Sequence, residues 1–209
     1  MIDGTDLLAV VQQRNGLLER ATRYAREVTA QVRYPQLTRP TPCEGWDLWR
    51  LLWHVNETVV ALREAVESSR VFPEPAPLDP DRADDVLSTF DRESALLLEA
   101  WDESADEATV AVGRHSVHGI VLANTGALEL AVHGWDIARS CDLPAVIPAD
   151  LATDLLRLAH AVVPIPRRPQ FGPEILCPEQ ARAGDRLVAF LGRRVEVWCP
   201  AREPSVNPR

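Results

Sequence analysis

Apolar residues recur at helical spacing along most of the chain. From Asp6 to about Arg33, Leu7, Val10, Val11, Leu18, Ala21, Val28 and Val32 return every third or fourth position or so, which predicts a long first helix. Pro35 to Trp46 holds three prolines and a glycine and reads as a loop. Asp47 is placed to accept from backbone amides as the N-cap of a second helix, whose stripe is Leu48, Leu51, Leu52, Val55, Val59 and Leu62 and which runs to about Ser68. Val71 to Pro80 contains four prolines, a stiff connector of crossover length. A third helix, Arg82 to Asp102, carries Val86, Phe90, Ala95, Leu97, Leu98 and Trp101. Ala108 to Gly113 leans toward a strand. A fourth helix follows from Val117 to Ser140, a shorter fifth from Leu151 to Val163 before Pro164 and Pro166, and a last helical turn or two from Asp185 to Gly192. Four long helices with one long connection after the second are the pattern of an all-α four-helix bundle with a crossover. The bundle is assigned to residues 1–145, and residues 146–209 to a helical extension packed on it.

Composition narrows the possibilities. With 209 residues, 46% of them hydrophobic and 25% charged, the chain is one globular domain with or without a tail. Its 22 basic residues are all arginine. The lack of lysine excludes a Schiff-base lysine, a pyridoxal site and a Walker A lysine. A net charge of -9 argues against a nucleic-acid partner, whose phosphates need cations at the interface. No apolar stretch approaches the ~18 residues that span a bilayer, and the start MIDGTDLLAVVQQRNG has no signal-peptide pattern, so the expected setting is soluble and cytoplasmic. Cys43, Cys141, Cys177 and Cys199 are scattered without a CxxC pair and are expected to be free thiols. GxSxG, HExxH, GxGxxG and phosphate-loop motifs are absent.

One polar constellation remains. On the fourth helix Leu122, Thr125, Glu129, His133 and Asp136 fall within a sector of about 60°. Glu129 and His133 project from adjacent turns and can meet one ion. The spacing alone also fits an ordinary surface Glu–His pair. Their setting, ALELAVHGWDIA, is apolar enough to be buried, and a buried carboxylate calls for a partner that a cation would supply. His54 in LLWHVNE flanks the stripe of the second helix and is the best-placed third ligand, although a histidine taken alone at such a position is more often a boundary residue with a satisfied hydrogen bond. Glu57 turns away and reads as a surface charge. His118 shares the face of Glu129 but stands about 16 Å along the helix, too far to share an ion. His115 is assigned to the preceding loop and His160 to an outer helix. Cys43 in TPCEGW lies near the mouth without a base to activate it, so it is given a structural role.

The runs PTPCEGWDLWRLLWHV from Pro40, ELAVHGWDIA from Glu129 and DRLVAFLGR near the C-terminus together resemble the DinB-like superfamily, and within it the mycothiol-dependent maleylpyruvate isomerase family. The resemblance implies a DinB-type four-helix bundle holding a divalent metal, usually zinc, through His54, Glu129 and His133. It further implies mycothiol as cosubstrate and a small-molecule electrophile as the second partner, and it allows a homodimer. A His2Glu set leaves open positions on the ion, as in catalytic sites. The expected function is therefore a metal-dependent thiol S-transferase or thiol-dependent isomerase, with Arg50 or Arg114 available to acidic groups of thiol or substrate. A metal-water hydrolase and a non-catalytic metal- or ligand-binding bundle are the alternatives.

Overall fold

The computed structural model describes residues 16–71, 86–101, 103–164, 167 and 171–195. The predicted start of the first helix at Asp6, the Pro-rich connector beyond Val71, the start of the third helix at Arg82, and Cys199 lie outside these residues. Helices α1 (Leu17–Thr29), α2 (Leu48–Ser68), α3 (Val86–Ala100) and α5 (Gly119–Ser140) form the bundle; α4 (Glu103–Glu107) is a short helix between α3 and α5. Helices α6 (Ala149–Val162) and α7 (Ala183–Phe190) follow. The all-α architecture expected from the helical spacing is what the chain adopts, with a small sheet added at one end.

Helix α5 is the centre of the molecule: it packs against α1 and α2, and only Thr125 and Arg139 of its residues are exposed. Two glycines permit that closeness. A Cβ on Gly126 would stand 2.5 Å from Leu62 Cδ1 on α2, and one on Gly134 would stand 2.9 Å from Tyr24 Cε1 on α1. Leu62 can turn aside, whereas the Tyr24 ring is rigid and buried. Gly134→Ala is therefore expected to cost about 1–3 kcal/mol of stability through overpacking, read as a lower urea midpoint; an unchanged midpoint would show that α1 moves away freely.

Helix α2 starts as the sequence requires. The Asp47 carboxylate accepts from the Arg50 amide at 2.9 Å, and the helix ends at Ser69, which takes a left-handed conformation with φ 52°. The buried stripe is the predicted one, joined by the buried Asn56, whose Nδ2 donates to the Val86 carbonyl at 3.0 Å and so ties α2 to the start of α3.

Several boundaries differ from expectation. The first helix ends at Thr29 rather than Arg33, and Val32 is buried from the turn beyond it. The predicted loop opens with a 3-10 turn at Tyr34–Gln36. The strand foreseen around Ala108–Gly113 is β2 (Thr109–Val112), flanked by two strands that were not foreseen, β1 (Arg70–Val71) and β3 (His115–His118). Strand β1 pairs parallel to β2, and β3 antiparallel to it. Gly113, at φ 58°, opens the two-residue turn between β2 and β3, a conformation that glycine adopts without steric cost. Because Val117 and His118 pair with Val110 and Thr109, α5 begins at Gly119 and not at Val117. His115 thus lies on a strand rather than in a loop, and His118 precedes the helix rather than sharing its face. Both are exposed. The last helix is Ala183–Phe190 instead of Asp185–Gly192.

Helix α6 packs on α7 and reaches the bundle through α1 and α5. Arg20 of α1 donates to Asp150 at 2.9 Å and to Asp154 at 2.7 Å on α6. No helix among the described residues is long and apolar enough to cross a membrane.

Candidate functional site

The loop before α2 brings the motif TPCEGW over the end of the bundle. The Thr41 hydroxyl donates to the Trp46 carbonyl at 3.0 Å and accepts from the Cys43 amide at 3.1 Å, while Trp46 N–H returns to the Cys43 carbonyl at 3.0 Å. Gly45, at φ 77°, supplies the reversal. This knot fixes two side chains on the site: Trp46, whose ring meets His54 edge-on at 5.1 Å, and Cys43.

His54 from α2 and Glu129 and His133 from α5 converge. Glu129 Oε2 is 3.2 Å from His133 Nε2 and 4.0 Å from His54 Nε2, and one donor atom from each residue lies within 4.8 Å of the others. The two imidazole rings stand nearly perpendicular, at 89°, with centroids 5.2 Å apart. His54 and Glu129 are half-buried and His133 is buried. Glu57, read from the sequence as a solvated charge, instead accepts from Trp53 Nε1 at 3.1 Å and stays out of the cluster.

Beneath His133 lies a second layer. Asp136, fully buried, places Oδ2 3.0 Å from His133 Nδ1. An ionised carboxylate can only accept, so Nδ1 carries a proton, and when the ring is neutral its lone pair is at Nε2, toward Glu129 and His54. Asp136 also accepts from Arg193, Nη2 to Oδ2 at 3.0 Å and Nε to Oδ1 at 3.4 Å, and from the Cys43 thiol at 3.4 Å. Burial alone would raise the Asp136 carboxyl, but His133 and Arg193 hold it below the usual carboxylate range. Burial likewise works against charge on His133, yet Asp136, Cys43 and Glu129 raise it well above the ordinary imidazole range. Glu129 is lowered too, its burial being outweighed by the neighbouring imidazoles of His133 and His54.

These shifts describe a site that attracts positive charge at Nε2. A proton there and a divalent ion compete for the same position, and two imidazoles with one carboxylate form a donor set suited to zinc. Cys43, His133 and Asp136 form a second convergent group. Its carboxylate is already occupied by a guanidinium, an imidazole N–H and a thiol, which makes this inner group a support rather than a cage. Cys43 is accordingly more than the structural residue expected from sequence: it lines the cleft and bonds the carboxylate that orients His133.

Arg193 is the residue that sequence reasoning missed. It sits just past α7 in DRLVAFLGR, where Gly192 N–H bonds the Ala189 carbonyl at 3.0 Å and Arg193 N–H the Val188 carbonyl at 2.9 Å. That is a Schellman turn, with Gly192 at φ 87°, and it aims Arg193 back at Asp136. The Leu-Gly-Arg pattern signalled the helix stop, but nothing local shows which part of the bundle the stop faces. Arg50 and Arg114 are placed elsewhere: Arg50 lies 5.3 Å from the Trp46 ring centroid, Arg114 in the exposed β2–β3 turn, and neither lines the cleft. His118 is absent from the lining too, and His160 stacks on Phe190 at 4.1 Å. The cleft itself has a volume of about 830 Å³ and opens onto His54, Glu129 and His133.

Comparison with known proteins places this arrangement. Residues 18–138 match the family described as the mycothiol maleylpyruvate isomerase N-terminal domain. Two uncharacterized Mycobacterium tuberculosis proteins, Rv0738 of strain H37Rv and MT0763 of strain CDC 1551, are each 31% identical over 182 residues, covering 85% of this chain and 96% of theirs. Among solved structures, that of the mycothiol-dependent maleylpyruvate isomerase is similar with a TM-score of 0.51 at 19% identity, covering 73% of this chain and 67% of the other, a likeness of fold.

Proposed function

We propose, for a chain that belongs to the mycothiol maleylpyruvate isomerase N-terminal domain family, that His54, Glu129 and His133 hold one divalent ion, zinc by the chemistry of the donors, and that the protein is a thiol S-transferase or thiol-dependent isomerase using mycothiol. The observation that carries the reading is the convergence of two imidazoles and a carboxylate at the floor of a cleft in which Cys43, the one cysteine among the described lining residues, is engaged with Asp136. When bound, the ion supplies Lewis acidity that makes a thiol at its open position acidic at neutral pH. The rest is the work of this chain's side chains. Asp136 keeps the His133 proton on Nδ1, Arg193 and Cys43 keep Asp136 in place, and Trp46 covers the edge of His54. The sulfur of the thiol, its proton released to solvent, adds to one carbon of an activated C=C bond whose π electrons move to the activating carbonyl. Taking up a proton at the other carbon keeps the C–S bond and gives the conjugate, whereas rotation about the new single bond and expulsion of the thiolate gives cis–trans isomerisation.

Residues 1–145 carry the ion, residues 146–209 supply Arg193 and one wall of the cleft, and the protein works in the cytoplasm as a homodimer, which light scattering would read. The deciding assay is conjugation of a model electrophile by mycothiol, compared with glutathione and cysteine, with and without added zinc. Mycothiol is expected to react faster than the uncatalysed rate only with the ion bound. If no thiol is accelerated while metal analysis shows an occupied site, a metal-water hydrolase or a binding protein replaces this reading.

A further inference from the structure

The cleft walls say what kind of electrophile fits. Trp46, Leu128, Val132, Phe171, Pro173 and Leu191 give it apolar faces, and among the described lining residues Arg193 is the single lysine or arginine. That cation is spent inside the protein. Nη2 and Nε of Arg193 both point at Asp136, Nη1 donates to the Leu191 carbonyl at 3.2 Å, and the side chain is only 17% exposed. An entering carboxylate would have to share the guanidinium with a fully buried carboxylate or displace it, and neither is favourable. Of the other charged groups on the lining, Glu44 and Glu129 are negative, and the His133 imidazole is paired with Asp136 and Glu129 inside the protein.

We infer that the cleft accepts a neutral, largely apolar electrophile and discriminates against dicarboxylates, an inference that rests on the cleft being the electrophile site of the proposed function. An ion held by His54, Glu129 and His133 can pair with one carboxylate of a ligand. The second would lose its water against Trp46, Leu128 or Phe171 with no free cation among the described lining residues to pair it, and an unpaired desolvated charge is among the costliest groups to bury. A flat neutral ester or aromatic meets the same walls with its apolar faces and forfeits nothing comparable.

An unreactive pair of ligands tests this apart from turnover. Dimethyl phthalate and phthalate share a ring and differ in two charges, and the methyl resonances of Leu128, Val132 and Leu191 report on the cleft directly. In the metal-free and the zinc-loaded protein alike, dimethyl phthalate is expected to shift these methyls saturably and phthalate to bind at least tenfold more weakly. Phe171→Arg, which adds a cation without an internal partner, is expected to narrow that difference. A reactive pair gives the parallel reading: thiol addition to dimethyl maleate should be accelerated over its own uncatalysed rate at least tenfold more than addition to maleate. Phthalate binding as tightly as its ester, or neither ligand moving the methyls, would overturn the inference. A cleft that binds the ester while no thiol is activated would instead overturn the proposed function and leave the ligand class standing.

Discussion

Arg193→Met is expected to lower the unfolding free energy by about 3–5 kcal/mol, the usual cost of breaking a buried ion pair from one side. Asp136 has no exposed surface, and the guanidinium contributes two of the hydrogen bonds that hold its charge there. Methionine fills much of the space but leaves the carboxylate with the His133 N–H and the Cys43 thiol alone. Urea denaturation at neutral pH measures the loss, and Arg193→Lys separates charge from fork, since an ammonium cannot meet both oxygens in the same plane. The same substitution loosens the orientation of His133, and removal of such an outer partner typically weakens a metal site about 10–100-fold, which a competitive chelator titration would read. A variant with full stability and full metal affinity would show that Arg193 merely passes near Asp136.

Glu129→Ala is expected to take the protein from about one divalent ion per chain to almost none, and thiol conjugation down to its uncatalysed rate. The carboxylate sits between both imidazoles, 3.2 Å from one and 4.0 Å from the other, so its loss removes the one anionic donor of the proposed set. Its side chain is 37% exposed and carries none of the core packing, so the circular dichroism and thermal transition of the two metal-free proteins should differ little. His54→Ala should behave in the same way, whereas His118→Ala, altering an exposed residue ahead of α5, should keep its metal. Equal metal content in Glu129→Ala and the unaltered protein would remove Glu129 from the ligand set.

The bundle was legible because each of its helices is long enough for the apolar period to repeat several times, and because Asp47 announces its helix by a side chain that caps locally. The trio on α2 and α5 was legible for a related reason: Glu129 and His133 are one turn apart on a helix buried nearly all round, where a polar pair stands out. What escaped notice depends on contacts remote in sequence. Strand β3, His-Ser-Val-His, has almost no apolar alternation, and only its pairing with β2 defines it. Helix α4 spans five residues, too few for a period to show. Asp136 was seen to share the sector of Glu129, but its role follows from burial beneath His133 and from an arginine 57 positions further along the chain. Cys43 looked inert because no base stood near it in sequence; its partner is the carboxylate on α5.

The turn that ends α7 makes two equilibria one. Arg193 reaches Asp136 only when that turn is docked, and Asp136 governs which nitrogen of His133 would face an ion in the proposed site. Docking of the C-terminal helix and occupation of the site are then linked functions, and linkage is reciprocal: by whatever factor docking tightens the ion, the ion tightens docking. The family match ends at residue 138, short of this coupling. If His54, Glu129 and His133 hold an ion as proposed, its affinity would be set in part by a segment beyond that match.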